Sequence, residues 1–85
     1  MKILWEEKAW GDYCQWQKDK KIFKKINELI KDIQRNCYKG IGKPEPLKRN
    51  LSGWWSRRID DEHRIVYKVE NNFIIIASCK GHYEL

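Results

Sequence analysis

Between Ile22 and Ile33, the apolar residues Ile22, Phe23, Ile26, Leu29, Ile30 and Ile33 recur at the three- and four-residue spacing of one helix face. Lys20, Lys21, Lys24, Lys25, Glu28 and Lys31 take the remaining surface, and Asp19 stands where an N-cap is needed. A helix of this length is marginal alone in water, so its stripe has to be covered by another apolar face. That cover is found further along, where the apolar period falls from 3.6 residues to two. Over Gly53–Ile59, Trp55, Arg57 and Ile59 share one face, and Trp54, Ser56 and Arg58 the other. Over His63–Val69, Ile65, Tyr67 and Val69 alternate with Arg64, Val66 and Lys68. Asp60-Asp61 and Asn71-Asn72 read as the turns between strands. Phe73–Lys80 is apolar on both faces, the pattern of a central strand.

Ahead of this core, Met1–Trp5 is strand-compatible. Glu6–Gln17 predicts a first helix with Trp10, Tyr13 and Cys14 on its apolar side, turning near Lys18–Lys20 into the second. Asn36–Asn50, with Gly40, Gly42, Pro44 and Pro46, reads as loop. The order is β-α-α-β-β-β. It predicts one α+β domain over residues 1–85, an antiparallel four- to five-stranded sheet with two helices packed on one face. Parity then sorts the charged residues. If Trp55, Ile59, Ile65 and Tyr67 face the helices, Arg58 and Arg64 lie together on the open face, and Arg57 points into the core layer and must reach an edge or a carboxylate.

Eighty-five residues bury only roughly 60% of their unfolded surface, so large aromatics have to carry much of the core. The formal net charge of +6 favours nucleic acid, an acidic protein or an anionic membrane as partner. The apolar run Phe73–Ala77 is far too short to span a bilayer, and Lys2, Glu6, Glu7 and Lys8 interrupt any leader-like opening, so no membrane and a cytoplasmic location are expected. Cys14, Cys37 and Cys79 are odd in number and lack zinc-type spacing, so they read as free thiols with no metal or other cofactor.

The residues that could carry chemistry are few. Glu45 stands between Pro44 and Pro46, which stiffen its backbone and aim its carboxylate. The plain alternative is a surface carboxylate balancing Lys43 or Lys48. Arg64 and Arg58 could bind phosphate bidentately, or could instead pair with Asp60, Asp61 or Glu62. His82, just past the last strand, can donate a proton near neutrality, and Tyr83 can stack on a base. His63, beside a turn, fits an exposed or hydrogen-bonding role better than that of the acid. Together the set suits RNA cleavage. Glu45 would take the 2′-hydroxyl proton, Arg64 with Arg58 would stabilise the phosphorane charge, and His82 would protonate the leaving 5′-oxygen. The products would be a 2′,3′-cyclic phosphate and a 5′-hydroxyl. The chemistry needs no metal.

Longer stretches carry a family likeness: Lys24-Lys25-Ile26-Asn27-Glu28-Leu29-Ile30-Lys31-Asp32, Gly42-Lys43-Pro44-Glu45-Pro46-Leu47-Lys48, Asn50-Leu51-Ser52-Gly53, Trp55-Ser56-Arg57-Arg58-Ile59, Glu62-His63-Arg64 and the terminal His82-Tyr83. In these, the chain resembles the YoeB-type toxins of the RelE–ParE superfamily over nearly its whole length. The resemblance implies a microbial ribonuclease-like fold and mRNA cleavage in the ribosomal A site that arrests translation. It implies neutralisation by a YefM-type antitoxin, operator DNA bound only as the toxin–antitoxin complex, and a homodimer. By the same resemblance, Glu45 matches the base, Arg64 the charge-stabilising arginine, His82 the acid and Tyr83 the terminal aromatic. Lys48, Arg58 and Glu62 match substrate-binding positions of the active surface.

The tail departs from the family pattern. Lys80-Gly81 replaces an Arg-Tyr approach, and Glu84-Leu85 follows the His-Tyr pair. A glycine there predicts a looser tail, so Gly81→Tyr is expected to raise the cleavage rate. The alternatives from other classes are a ParE-like inhibitor of a protein target and a catalytically idle ribosome- or RNA-binding module. A neighbouring reading frame encoding a small acidic antitoxin would favour the toxin.

Overall fold

The computed structural model of the chain describes residues 1–82. Its elements run β1 (Lys2–Trp5), α1 (Glu7–Trp16), α2 (Lys20–Arg35), β2 (Glu45–Pro46), a 3-10 turn at Arg49–Leu51, β3 (Trp55–Arg58), β4 (Arg64–Glu70) and β5 (Phe73–Ser78). The strands form one sheet in the order β1-β5-β4-β3-β2. The helices pack on one of its faces, where Ile26, Leu29 and Ile33 of α2 meet Ile65, Tyr67, Ile74 and Ile76, all with no solvent exposure. Each such side chain contributes about 1.5–3 kcal/mol by leaving water. The Asp19 carboxylate caps α2, accepting the Ile22 N–H at 3.2 Å. The Asn71-Asn72 turn has φ of 52° and 64°, the two left-handed residues that a tight hairpin between twisted strands requires.

Three features differ from the sequence expectation. First, β1 joins the sheet parallel to β5, with Ile3 opposite Ile74, so the sheet is mixed. Only strands joined by a short hairpin are obliged to be antiparallel, and the helical pair separates β1 from the meander. Second, Glu45–Pro46, expected as loop, forms an edge strand on β3 with Glu45 opposite Ser56. Flanking prolines already hold this stretch extended, and an edge tolerates the missing N–H of Pro46. Third, α1 is rotated. It buries Ala9 and Asp12, while Trp10 is 51% exposed and Cys14 is also exposed. Ala9 lets the helix approach the sheet closely. Asp12 is satisfied by the Cys79 N–H at 3.1 Å and the Lys8 Nζ at 2.8 Å. Trp10 packs at the rim against Trp5 and Tyr13.

Arg57 does point into the core layer, as parity requires, and is fully buried. Its Nη1 donates to Asp32 Oδ2 at 2.6 Å and to the Ile41 carbonyl at 3.2 Å. Its Nη2 donates to the carbonyls of Asn36 and Lys39, and its Nε to the Tyr67 hydroxyl. The chain between α2 and β2 thus wraps its carbonyls around one guanidinium. Burial raises the Tyr67 phenol above its ordinary range despite the opposing Arg57 charge.

Candidate active site on the uncovered sheet face

The face of the sheet away from the helices is organised by strand register. Arg58 lies directly opposite Arg64, and Ser56 opposite Val66. Glu45 lies opposite Ser56, hence on the same face as both arginines. Residues directly paired have Cβ atoms about 4.5–5.5 Å apart, and diagonal neighbours such as Glu45 and Arg58 about 7–8 Å. Two like charges directly opposite destabilise a sheet. Neither arginine forms an ion pair with a carboxylate among the described residues. The Arg64 guanidinium instead donates to the main-chain carbonyls of Asp60 at 2.8 Å and His63 at 3.1 Å. Such a pair suits an anionic ligand better than it suits the fold.

The segment after β5 returns beside this face. The Arg64 N–H donates to the Gly81 carbonyl at 3.0 Å. The Gly81 N–H donates to His63 Nδ1 at 2.8 Å. Trp16 Nε1 holds the Cys79 carbonyl at 2.8 Å. Gly81 is therefore bonded through both its peptide groups, with a φ of 76° that favours glycine. Long-range partners thus take up both backbone groups of Gly81, the glycine from which the sequence expects a looser tail.

His82 is exposed and lines a cleft of about 440 Å³ together with Leu51, Val66, Ala77, Ser78 and Gly81. Val66 links this cleft to the charged group: it lies two residues from Arg64 and opposite Ser56, which in turn faces Glu45. Lys48 is exposed at the start of the 3-10 turn. Glu62 is exposed in the β3–β4 turn, its Oε1 3.8 Å from His63 Nε2. Glu45 forms no ion pair among the described residues, so a balance with Lys43 or Lys48 is not seen. Tyr83 lies outside the described residues.

The β3–β4 turn is held by Asp60, whose Oδ1 accepts the N–H groups of Glu62 at 2.9 Å and His63 at 2.7 Å. Burial alone would raise the Asp60 carboxyl; these two N–H groups and the nearby Arg64 charge outweigh it and hold the carboxyl below its ordinary range. The turn was legible in Asp60-Asp61, but the bond from Gly81 to His63 was not, since no local pattern links residues eighteen apart. Among the described residues, no three His, Cys, Asp or Glu side chains converge to hold a metal ion. The three cysteines are free. Burial pushes the Cys79 thiol up to about 12, so it is no nucleophile. No helix among the described residues is long and apolar enough to cross a membrane.

A family model described as "YoeB-like toxin of bacterial type II toxin-antitoxin system" matches residues 5–83. The chain is 60% identical to Toxin YoeB of Escherichia coli K12 over 84 residues, covering 98% of this chain and 100% of that protein. A solved YoeB/ParE toxin from Agrobacterium tumefaciens superposes with a TM-score of 0.95 at 44% identity, covering 98% of this chain and 100% of that one. The YoeB dimer from Staphylococcus aureus gives 0.90 at 56% identity, covering 98% of both chains. A heterotetrameric YoeB–YefM toxin–antitoxin complex from Staphylococcus aureus gives the same values.

Proposed function

The chain belongs to the YoeB-like toxins of bacterial type II toxin–antitoxin systems, and on that premise we propose that it is a ribosome-dependent mRNA endoribonuclease. The reading rests chiefly on one observation: Glu45, Arg58 and Arg64 share the uncovered sheet face, and Val66 joins that face to the cleft lined by His82. In the reaction, Glu45 removes the proton of a 2′-hydroxyl as its oxygen attacks the adjacent phosphorus. Arg64 and Arg58 stabilise the charge gathering on the phosphorane oxygens. The bond from phosphorus to the 5′-oxygen breaks, and His82 protonates that oxygen as it leaves. The strands end as a 2′,3′-cyclic phosphate and a 5′-hydroxyl. Lys48 and Glu62 contact the substrate, and Tyr83 stacks on a base beside the cut.

The site takes mRNA in the ribosomal A site, so that cutting arrests translation in the cytoplasm. A YefM-type antitoxin neutralises the protein, as the Staphylococcus complex suggests by its composition. Operator DNA is bound only by the toxin–antitoxin pair, and the free toxin is a homodimer.

The test is mRNA cleavage in a reconstituted translation reaction, with and without ribosomes, comparing the wild type with His82→Gln. Ribosome-dependent cutting that collapses in the variant supports the reading. Cutting that survives the variant moves the acid elsewhere, and no cutting by the wild type rejects the nuclease.

A further inference from the structure

The cleavage reaction proposed above does not use His63, yet the structure holds this side chain firmly. Its ring stands edge-on to Trp16, with centroids 4.8 Å apart. Its own N–H is fastened to Asp60 Oδ1 at 2.7 Å. The side chain is 11% exposed, and its Nε2 faces Glu62 at 3.8 Å. Its Nδ1 accepts the Gly81 N–H at 2.8 Å. A ring nitrogen that accepts a hydrogen bond carries no proton, so His63 is the neutral Nε2–H tautomer in this arrangement.

Four long-range hydrogen bonds to main-chain groups hold the returning segment just before His82. Asp12 takes the Cys79 N–H, Trp16 holds the Cys79 carbonyl, and the Arg64 N–H holds the Gly81 carbonyl. The fourth, from the Gly81 N–H to His63, rests on a single lone pair. Gly81 has φ of 76°, and a Cβ built there would meet nothing within 4 Å. No side chain of its own packs here, and glycine has the widest backbone freedom of any. Hydrogen bonds have to supply the order that packing does not.

We propose that His63 is a positioning residue for the acid: its Nδ1 lone pair, by holding the Gly81 N–H, sets the backbone from which His82 projects. The proposal rests on the nuclease reading, in which His82 is the proton donor. Loss of the acceptor displaces His82 and leaves Arg58, Arg64 and Lys48 their side-chain surroundings; of the groups proposed to contact substrate, the His63 ring faces Glu62, at 3.8 Å. It should therefore lower the rate of chemistry and leave ribosome binding intact.

The experiment compares wild type, His63→Ala and His63→Asn, the last of which offers an amide oxygen near the place of Nδ1. Single-turnover mRNA cleavage on saturating programmed ribosomes is measured, with affinity for those ribosomes measured separately. Hydrogen exchange at the Gly81 and Leu29 amides is followed by NMR on the intact chain. His63→Ala is expected to slow cleavage about 10- to 100-fold, the scale of an ångström-sized misplacement, with affinity unchanged. It should speed exchange at Gly81 but not at Leu29. His63→Asn should restore both rate and protection to within about threefold of wild type.

Equal losses in Ala and Asn, or a loss of affinity alone, would overturn the proposal. So would Gly81 exchange that is the same in wild type and His63→Ala. Wild type that cuts nothing would instead reject the nuclease reading and, with it, the catalytic role of His63. The exchange comparison would then still show whether His63 holds the tail.

Discussion

Arg57 has no exposure to solvent and donates five hydrogen bonds, so the whole guanidinium is spoken for. Asp32 is the one carboxylate among its partners in the described residues, and that bond, followed by the Ile41 N–H, lowers the Asp32 pKa below its ordinary value against the effect of burial. Removing one member of such a pair leaves the other charge buried, so Asp32→Ala is expected to cost about 3 kcal/mol, read as a lower urea midpoint. The sign with pH follows from the depressed pKa. The Asp32 contribution is present above the pKa of the unfolded carboxyl and is lost as pH falls through the lower folded value. Asp32→Asn should therefore flatten the acid limb of stability below about pH 4, measured by thermal unfolding across pH. Gly81 is the second residue with a clear consequence. A side chain at a φ of 76° is strained by about 1–2 kcal/mol, so Gly81→Tyr should move the backbone, weaken the bond to His63 and lower the cleavage rate. This reverses the direction expected from the sequence. That Arg57 must reach an edge or a carboxylate was legible, because parity alone buries it; which of the two, and the pinning of Gly81, were not, because those partners come from distant segments.

At the scale of elements, β3 and β4 set, through their register, the face on which the proposed site lies. Arg58 opposite Arg64 opposes the pairing that aligns them. Arg58→Gln should therefore hold or raise the urea midpoint, by about 0.2–1 kcal/mol, while slowing cleavage. A variant that lost stability and activity together would assign Arg58 to the fold instead. The loop before β2 is tied to β3 where the Arg58 N–H meets the Gly42 carbonyl at 2.6 Å. A Cβ at Gly42 would lie 2.7 Å from Leu29 Cδ2 and 3.0 Å from the Arg58 carbonyl, at a φ of 80°. Gly42 thus brings the backbone just ahead of Glu45 hard against both Leu29 and β3. The extended conformation of Glu45 was readable from its two prolines. Its pairing partner Ser56 was not, since two residues carry too little pattern to define a register.

Over the whole molecule, the core is one cluster shared by α1, α2 and the three meander strands, with Cys79 inside it. Cys79 is fully buried and its thiol is pushed up to about 12, whereas Cys14 is exposed. Alkylation of the native chain near neutral pH should mark Cys14 quickly and Cys79 only through opening of the fold. Mass spectrometry of the modified peptides checks this, and early labelling of Cys79 would show that the α1–β5 junction opens locally. A partner that binds only the folded form should slow the Cys79 reaction further, which gives a direct assay for an antitoxin.

The sequence by itself determined α2, both hairpin turns, the face assignment of the arginines and the burial of Arg57. These follow from hydrophobic period, turn chemistry and the cost of burying a lone charge, all readable within a few residues. Tertiary structure decided the direction of β1, the rotation of α1 about Ala9 and Asp12, and the anchoring of the tail on His63. Each depends on which surfaces meet when segments distant in sequence pack together. Hydrogen-bond partners such as Asp12 with Cys79 and His63 with Gly81 exist only once that packing is complete.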